Sequence, residues 1–170
     1  MEDRDRLDWL LFEEGDEKAF DRIFQRHRKH LLKYCSYMMG SSVAGEDVVQ
    51  ETFMRLLEQK GSLTIRSSLK YWLFICARNY SLNFLAKRRR TVESSPLIGG
   101  NDDCSDEMKW LLHEVLGKLN YDERDLILMR EQQQYSVADM AALLGKSREA
   151  VRVRLFRIRK KMYELGKRYR

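Results

Sequence analysis

The stretch Tyr135–Lys161, YSVADMAALLGKSREAVRVRLFRIRKK, decides the fold of the C-terminal half of this chain. Ala141, Gly145 and Val151 stand at A-x3-G-x5-V spacing, the pattern of two helices that cross closely at a tight turn. The alanine permits the contact, the glycine turns the chain, and the β-branched valine fills the angle between the helices. Ser136 is placed to cap the first helix, with Asp139 three residues on, and Ser147 to cap the second. These features predict a helix-turn-helix over about 136–144 and 147–165. From Lys146 to the end there are eleven Lys/Arg against two acids. So much positive charge behind so compact a motif calls for a polyanionic partner, and DNA is the first candidate.

Working outward, the rest of the chain is also helical in pattern. It holds 170 residues, one proline (Pro96) and few, scattered glycines, with no long β-branched alternation. The expected fold is all-α: two small helical domains joined by a flexible linker, the C-terminal one a helix-turn-helix. Phe20, Ile23, Phe24, His27, Leu31, Tyr34, Cys35 and Met38 recur at three- and four-residue spacing and predict a helix over about 17–39, between Gly15 and Gly40. Trp9 to Phe12 form a short helix before it. A second long helix is expected over about 44–59. A third, over about 68–88, has Leu69, Trp72, Leu73, Cys76, Tyr80 and Phe84 on one side. Two more are expected over about 107–116 and 122–133. TVESSPLIGGNDDCSD (91–106) gathers the proline, two adjacent glycines and several turn formers, which marks it as the linker between domains 1–90 and 107–170. Sixteen such residues would span roughly 20–25 Å on average.

The net charge of +6 conceals a block pattern. Residues 1–58 carry nine bases and thirteen acids, and residues 59–92 carry eight bases and no acid. Residues 93–145 then carry four bases and eleven acids before the cationic tail. Two basic blocks separated by acidic ones predict two discrete nucleic-acid footprints, with acidic surface left for another partner. No stretch approaches the ~20 apolar residues of a membrane span. The acidic N-terminus has no apolar core long enough for a signal peptide. Three cysteines without paired spacing fit a reducing cytosol, so a cytoplasmic protein without membrane insertion is expected. His27, His30 and His113 do not join the cysteines in any zinc-like spacing, and His27 and His30 read as helix-surface or boundary residues. No glycine loop for a nucleotide and no nucleophile–base pair is visible. Neither metal, cofactor nor intrinsic catalysis is expected.

Four passages together resemble the extracytoplasmic-function (ECF) type of bacterial RNA polymerase sigma factor, in the sigma-70 family. They are GDEKAFDRIFQRH (15–27), AGEDVVQETFMRLL (44–57), SSLKYWLFICARNYSLNFLAKRRR (67–90), and LNYDERDLILMR (119–130) with the helix-turn-helix behind it. The resemblance spans about residues 15–162. It implies a dissociable polymerase subunit that is monomeric when free, its domain 1–90 corresponding to region 2 and its domain 107–170 to region 4. The implied partners are core RNA polymerase, promoter DNA and an anti-sigma factor.

The resemblance assigns the helix at 44–57 to polymerase docking through Asp47, Gln50, Glu51 and Phe53. Val48, Val49, Phe53 and Leu56 would also serve the core, some of them reaching the partner. It assigns the third helix and the loop before it to opening the minus-ten element. There Asn79 and loop residues 62–67 would cradle a flipped base, while Arg66, Lys70, Arg78, Lys87, Arg88, Arg89 and Arg90 hold phosphates. Tyr71 and Tyr80 could serve either the core or the bases, and Trp72 belongs to the apolar stripe. At the minus-thirty-five element the final helix would present Ser147, Arg148, Glu149, Arg152, Val153, Phe156 and Arg157 to the major groove, and Arg130 would reach the backbone or bases. Arg159, Lys160 and Lys161 would add non-specific attraction. Two other readings use parts of the same sequence: a helix-turn-helix regulator that never engages polymerase, and a sigma-like decoy for an anti-sigma protein. Neither uses both basic blocks together with the 44–57 helix.

Overall fold

The computed structural model describes residues 2–63, 68–91 and 107–169, with the side chains of residues 2 and 88–91 left aside. Among the described residues there are eight α-helices and no strand: α1 (Glu2–Glu13), α2 (Glu17–Met39), α3 (Ser42–Glu58), α4 (Leu69–Thr91), α5 (Glu107–Gly117), α6 (Tyr121–Glu131), α7 (Val137–Leu144) and α8 (Arg148–Lys167). The chain divides into two compact units, Met1–Glu93 and Ser94–Arg170. Loop residues 64–67, among them Arg66, and residues 92–106 of the expected linker lie outside the described residues.

In the first unit α2 is the central helix. It starts where the Asp16 carboxylate accepts from the Lys18 amide and stops at Gly40, whose φ of 71° is costly for any residue with a Cβ. Ile23, Leu31, Tyr34, Cys35 and Met38 from α2 meet Val48, Val49, Phe53 and Leu56 from α3 and Leu69, Leu73, Phe74, Ala77 and Leu85 from α4. Gly45 sets how closely α2 and α3 approach. A Cβ there would lie 2.7 Å from the Ser36 backbone nitrogen, a separation that real side chains do not reach.

Helix α1 is longer than the short helix expected, and it joins α2 through charge as well as apolar packing. Trp9 and Phe12 are buried, while Asp5 and Asp8, one turn apart, are only 3% and 6% exposed. Asp8 pairs with Arg22 and Arg26, and Asp5 pairs with Arg26 and His27. His27 is therefore a buried residue of the α1–α2 seam, not the surface or boundary residue the sequence suggested. Burial alone would raise the Asp8 carboxyl, but hydrogen bonds from Arg26 and Arg22 and their positive charge hold it below the usual carboxylate range.

In the second unit, capping explains the element boundaries. Asn120 with Glu123 and Ser136 with Asp139 form reciprocal capping boxes at the starts of α6 and α7, and the Ser147 hydroxyl accepts from the Ala150 amide at the start of α8. Gly145 closes α7 with φ of 61°. Helix α6 ends at Glu131, two residues earlier than expected. There Gln132 and Gln133 both donate to the Leu128 carbonyl, Gln134 takes a positive φ of 58°, and Tyr135 turns back to the Met129 carbonyl. Leu126, Met129, Met140, Val151, Leu155 and Ile158 form the core of this unit. Arg124 is buried beside them, and its guanidinium donates to the carbonyls of Leu116 and Leu119, closing the turn from α5 into α6.

Candidate nucleic-acid interface

Helix α8 has two sharply different sides. Val151, Leu155 and Ile158 are 1–3% exposed and face the core of the unit. Arg148, Glu149, Arg152, Val153, Phe156 and Arg157 are all exposed, as is the capping Ser147. Phe156 is 69% exposed and Val153 48% exposed, so neither is spent on packing. The Glu149 carboxylate stands 3.8 Å from Arg152. Further along the helix, Arg159 pairs with Glu131 and Lys161 with Glu123, each at 2.6 Å. Partial burial opposes ionisation of Glu123, but hydrogen bonds from Lys161 and the Asn120 amide hold its carboxyl below the usual range. Thus two cations expected only to add general attraction are engaged by acids of α6, while the arginines of the first two turns project outward. Arg130 is half-buried and donates to the Tyr135 carbonyl at 2.8 Å, so it braces the turn into α7.

In α4, Lys70, Asn79 and Lys87 are exposed, and Arg78 is half-buried. Arg88, Arg89 and Arg90 belong to α4, but their side chains are not described. Trp72 is half-buried. Tyr80 and Phe84 depart from the expected apolar side: they are 38% and 41% exposed, whereas their neighbours Ser81 and Leu85 are buried.

In α3, Asp47, Gln50 and Glu51 are exposed as expected. Phe53 is not available to a partner. It is 3% exposed, with its ring 4.8 Å from that of Phe24 and 6.2 Å from that of Phe20, and this burial removes it from the set of docking residues. Val48, Val49 and Leu56 are buried with it. Sequence reasoning missed Val43, Met54 and Leu57, which are 70%, 58% and 42% exposed. Positions 43, 47, 50, 54 and 57 recur at three- and four-residue spacing, so these side chains and the acidic ones form a single outward stripe. The three- and four-residue period of that stripe is present in the sequence, but the sequence reading assigned no role to Val43, Met54 or Leu57.

Burial pushes the Cys35 thiol up to about 12, and half-burial also raises that of Cys76, so neither is a ready thiolate. No group of three or more His, Cys, Asp or Glu among the described residues could hold a metal ion. No described helix is long and apolar enough to cross a membrane.

Comparison with known proteins decides what this pair of units is. Residues 23–91 match Sigma-70 region 2 and residues 109–162 match Sigma-70, region 4. The chain belongs to the sigma-70 family of RNA polymerase sigma factors, in its ECF class. It is 26% identical over 161 residues to the RNA polymerase sigma factor CarQ of Myxococcus xanthus, covering 91% of this chain and 92% of that protein. It is 25% identical over 155 residues to the ECF sigma factor SigM of Mycobacterium tuberculosis, covering 89% of this chain and 79% of that one. Among solved structures, the sigma factor RpoE of Bartonella quintana in complex with the anti-sigma factor NepR matches with a TM-score of 0.71 and 25% identity, over 88% of this chain and 98% of that one. CnrH, solved with the cytosolic domain of CnrY, shares the fold at a TM-score of 0.70 and 24% identity, over 95% and 96% of the two chains. The sigma factor functions as a polymerase-binding subunit that directs promoter-specific transcription initiation.

Proposed function

We propose a division of this function among three surfaces. The stripe on α3 (Val43, Asp47, Gln50, Glu51, Met54 and Leu57) docks on core RNA polymerase. Lys70, Arg78, Asn79 and Lys87 of α4, together with Arg88, Arg89 and Arg90 at its end and Arg66 in the segment before it, capture the opened minus-ten strand. The outer face of α8 enters the major groove at the minus-thirty-five element through Arg148, Glu149, Arg152, Val153, Phe156 and Arg157. Domains 1–90 and 107–170 thus do separate work on one promoter, tethered by residues 91–106. The single observation that carries this reading is the polarity of α8: its apolar side is packed away and its arginines and Phe156 face outward at the helix start, the end that reads base edges in this motif.

The amide of Asn79 suits a base edge because it both donates and accepts, and it stands exposed in a helix with no acid. On α8, Arg152 and Arg157 suit guanine edges or phosphates, and Glu149 suits a cytosine amino group. The factor makes no bonds itself; nucleotide addition belongs to the polymerase it recruits, in the cytoplasm. An anti-sigma protein is the proposed regulator, a reading supported by the likeness to a sigma factor solved with such a partner. Run-off transcription with purified core polymerase on genomic fragments tests the whole. Start sites clustered downstream of a shared two-part motif are expected; transcription no different from that of core enzyme alone would refute it.

A further inference from the structure

Helix α8 carries eight Lys/Arg, and two of them are tied to acids of α6 that lie 28 and 38 residues away in the chain. Arg159 Nε and Nη2 both donate to Glu131 Oε1, at 3.2 and 2.6 Å. Lys161 Nζ donates to Glu123 Oε2 at 2.6 Å. The two pairs lie on different sides of α8. Arg159 is seven residues beyond Arg152, about 20° short of two full turns, so it shares the edge of the helix that Arg152 presents. Lys161 is nine residues beyond Arg152, half a turn out of phase, and belongs to the opposite side. Glu123 also accepts from the Asn120 amide as part of the α6 cap, and the positive charge of Arg154 acts on it as well, so its place is explained within the unit. Glu131 is different. It is the last residue of α6, where the helix end is itself negative and a carboxylate is disfavoured. Its own helix gives no reason for an acid there; Arg159 does.

Both members of the Glu131 pair are about half exposed, and an exposed pair of this kind contributes little to stability. What it changes is charge. A free arginine at 159 would continue the row from Arg152 along the edge of α8 and meet phosphate whatever the sequence. We propose that Glu131 restrains sequence-independent DNA binding: it holds Arg159 off the phosphates, so that α8 binds through the residues of its N-terminal half. This deepens the proposed role of α8 and rests on it. A phosphate contact strengthens binding to every sequence alike, and a chromosome offers far more non-specific duplex than promoters. An acid that cancels one cation therefore limits capture at the wrong places.

The test uses holoenzyme assembled from core polymerase and the full chain. It is titrated at several salt concentrations with duplex carrying the minus-thirty-five element of a fragment recovered by run-off transcription, and with the same duplex scrambled. Glu131→Gln is expected to tighten binding to both about 5- to 10-fold at ~0.1 M salt and to steepen the salt slope by about 0.9, as one added phosphate contact does. Glu131→Gln with Arg159→Gln replaces a neutral pair by a neutral pair and should bind as the parent does. Glu123→Gln keeps the cap and frees a lysine on the far side of α8, so it too should bind as the parent does. No tightening by Glu131→Gln would overturn the restraint. A double variant clearly weaker than the parent would overturn it as well, by showing that Arg159 already reaches phosphate. Equal tightening by Glu123→Gln would assign both pairs to anchoring α8 instead. Arg152→Ala in the same titration tests the reading beneath. If it left binding to the element unchanged, the role of α8 would fail and the restraint with it; if it weakened that binding while Glu131→Gln did nothing, the restraint alone would fail.

Discussion

Asp5 Oδ2 lies 3.0 Å from His27 Nε2, and both side chains are buried between α1 and α2. Arg26 binds the other oxygen of the same carboxylate and reaches across to Asp8. Helix α1 is thus fastened to the unit for which polymerase docking and minus-ten capture are proposed. Removing Asp5 takes one carboxylate away from Arg26 and leaves His27 without its partner in a poorly solvated place. Asp5→Ala is expected to destabilise the first unit by about 3–5 kcal/mol, the usual cost of breaking a buried pair from one side. Asp5→Asn should cost less because its amide can still hydrogen-bond with His27. Urea unfolding followed by circular dichroism measures both, and a loss within about 0.5 kcal/mol for the alanine variant would show the cluster to be dispensable.

Acid should loosen the same seam. Asp8 is held below its ordinary value of 3.8 in the folded chain by Arg26 and Arg22, which outweigh its burial. A carboxyl depressed by folding contributes stability that is fully present above the unfolded value and is lost as pH falls through the folded one. Its contribution is therefore constant at neutral pH and declines only below about pH 4. Chemical denaturation of the parent and of Asp8→Asn over pH 2–7 checks this. The parent should lose more stability than the variant on acidification, so that the two curves converge at the acid end. Parallel curves throughout would remove Asp8 from the account.

Much of this architecture was legible because the sequence spells out its own boundaries. Asp16 and Gly40 bracket α2, Ser136 and Gly145 bracket α7, and Ser147 opens α8, each through a local hydrogen bond or a local dihedral. Features that need two helices at once were not legible. Asp5 and Asp8 read as part of a solvated acidic N-terminus because their partners lie 14 to 22 residues away. The spacing of Phe53 was compatible with core and contact alike, and only its packing on Phe20 and Phe24 decides between them. Phe84 has core spacing too, but it is 41% exposed while Leu85 beside it takes the buried place. Periodicity gives the direction in which a side chain points; whether a neighbour stands there is a property of the fold.

The α3 stripe predicts a partner defect without a folding defect. Gln50, Glu51 and Met54 are exposed, so substitutions there touch little of the core. Gln50→Lys with Glu51→Lys should sharply reduce capture of core polymerase, and Met54→Ala should weaken it through lost apolar contact, with melting temperatures close to the parent's. Phe53→Ala should behave in the opposite way, unfolding the unit by about 3–5 kcal/mol because it leaves a cavity among the rings. Pull-down with core enzyme alongside thermal melting separates the two classes. Full capture by the double lysine variant would move the docking surface elsewhere.

The two proposed DNA surfaces should fail separately. Arg152 and Arg157 project from the N-terminal half of α8, and each base contact proposed for them would be worth about 1–3 kcal/mol. Arg152→Ala and Arg157→Ala in holoenzyme should weaken binding to duplex that carries only the minus-thirty-five element, and should flatten its dependence on salt where a phosphate contact is lost. Asn79→Ala should leave that binding intact and reduce permanganate reactivity of the minus-ten thymines, the signature of an unpaired strand. The contrast depends on charge as well as position: an amide contributes nothing to counterion release, so Asn79→Ala should leave the salt slope where it was. Titration of duplex at several salt concentrations, followed by permanganate footprinting on the full promoter, measures both behaviours in one preparation. If the arginine and asparagine variants shared one defect, α4 and α8 would be reading the same stretch of DNA.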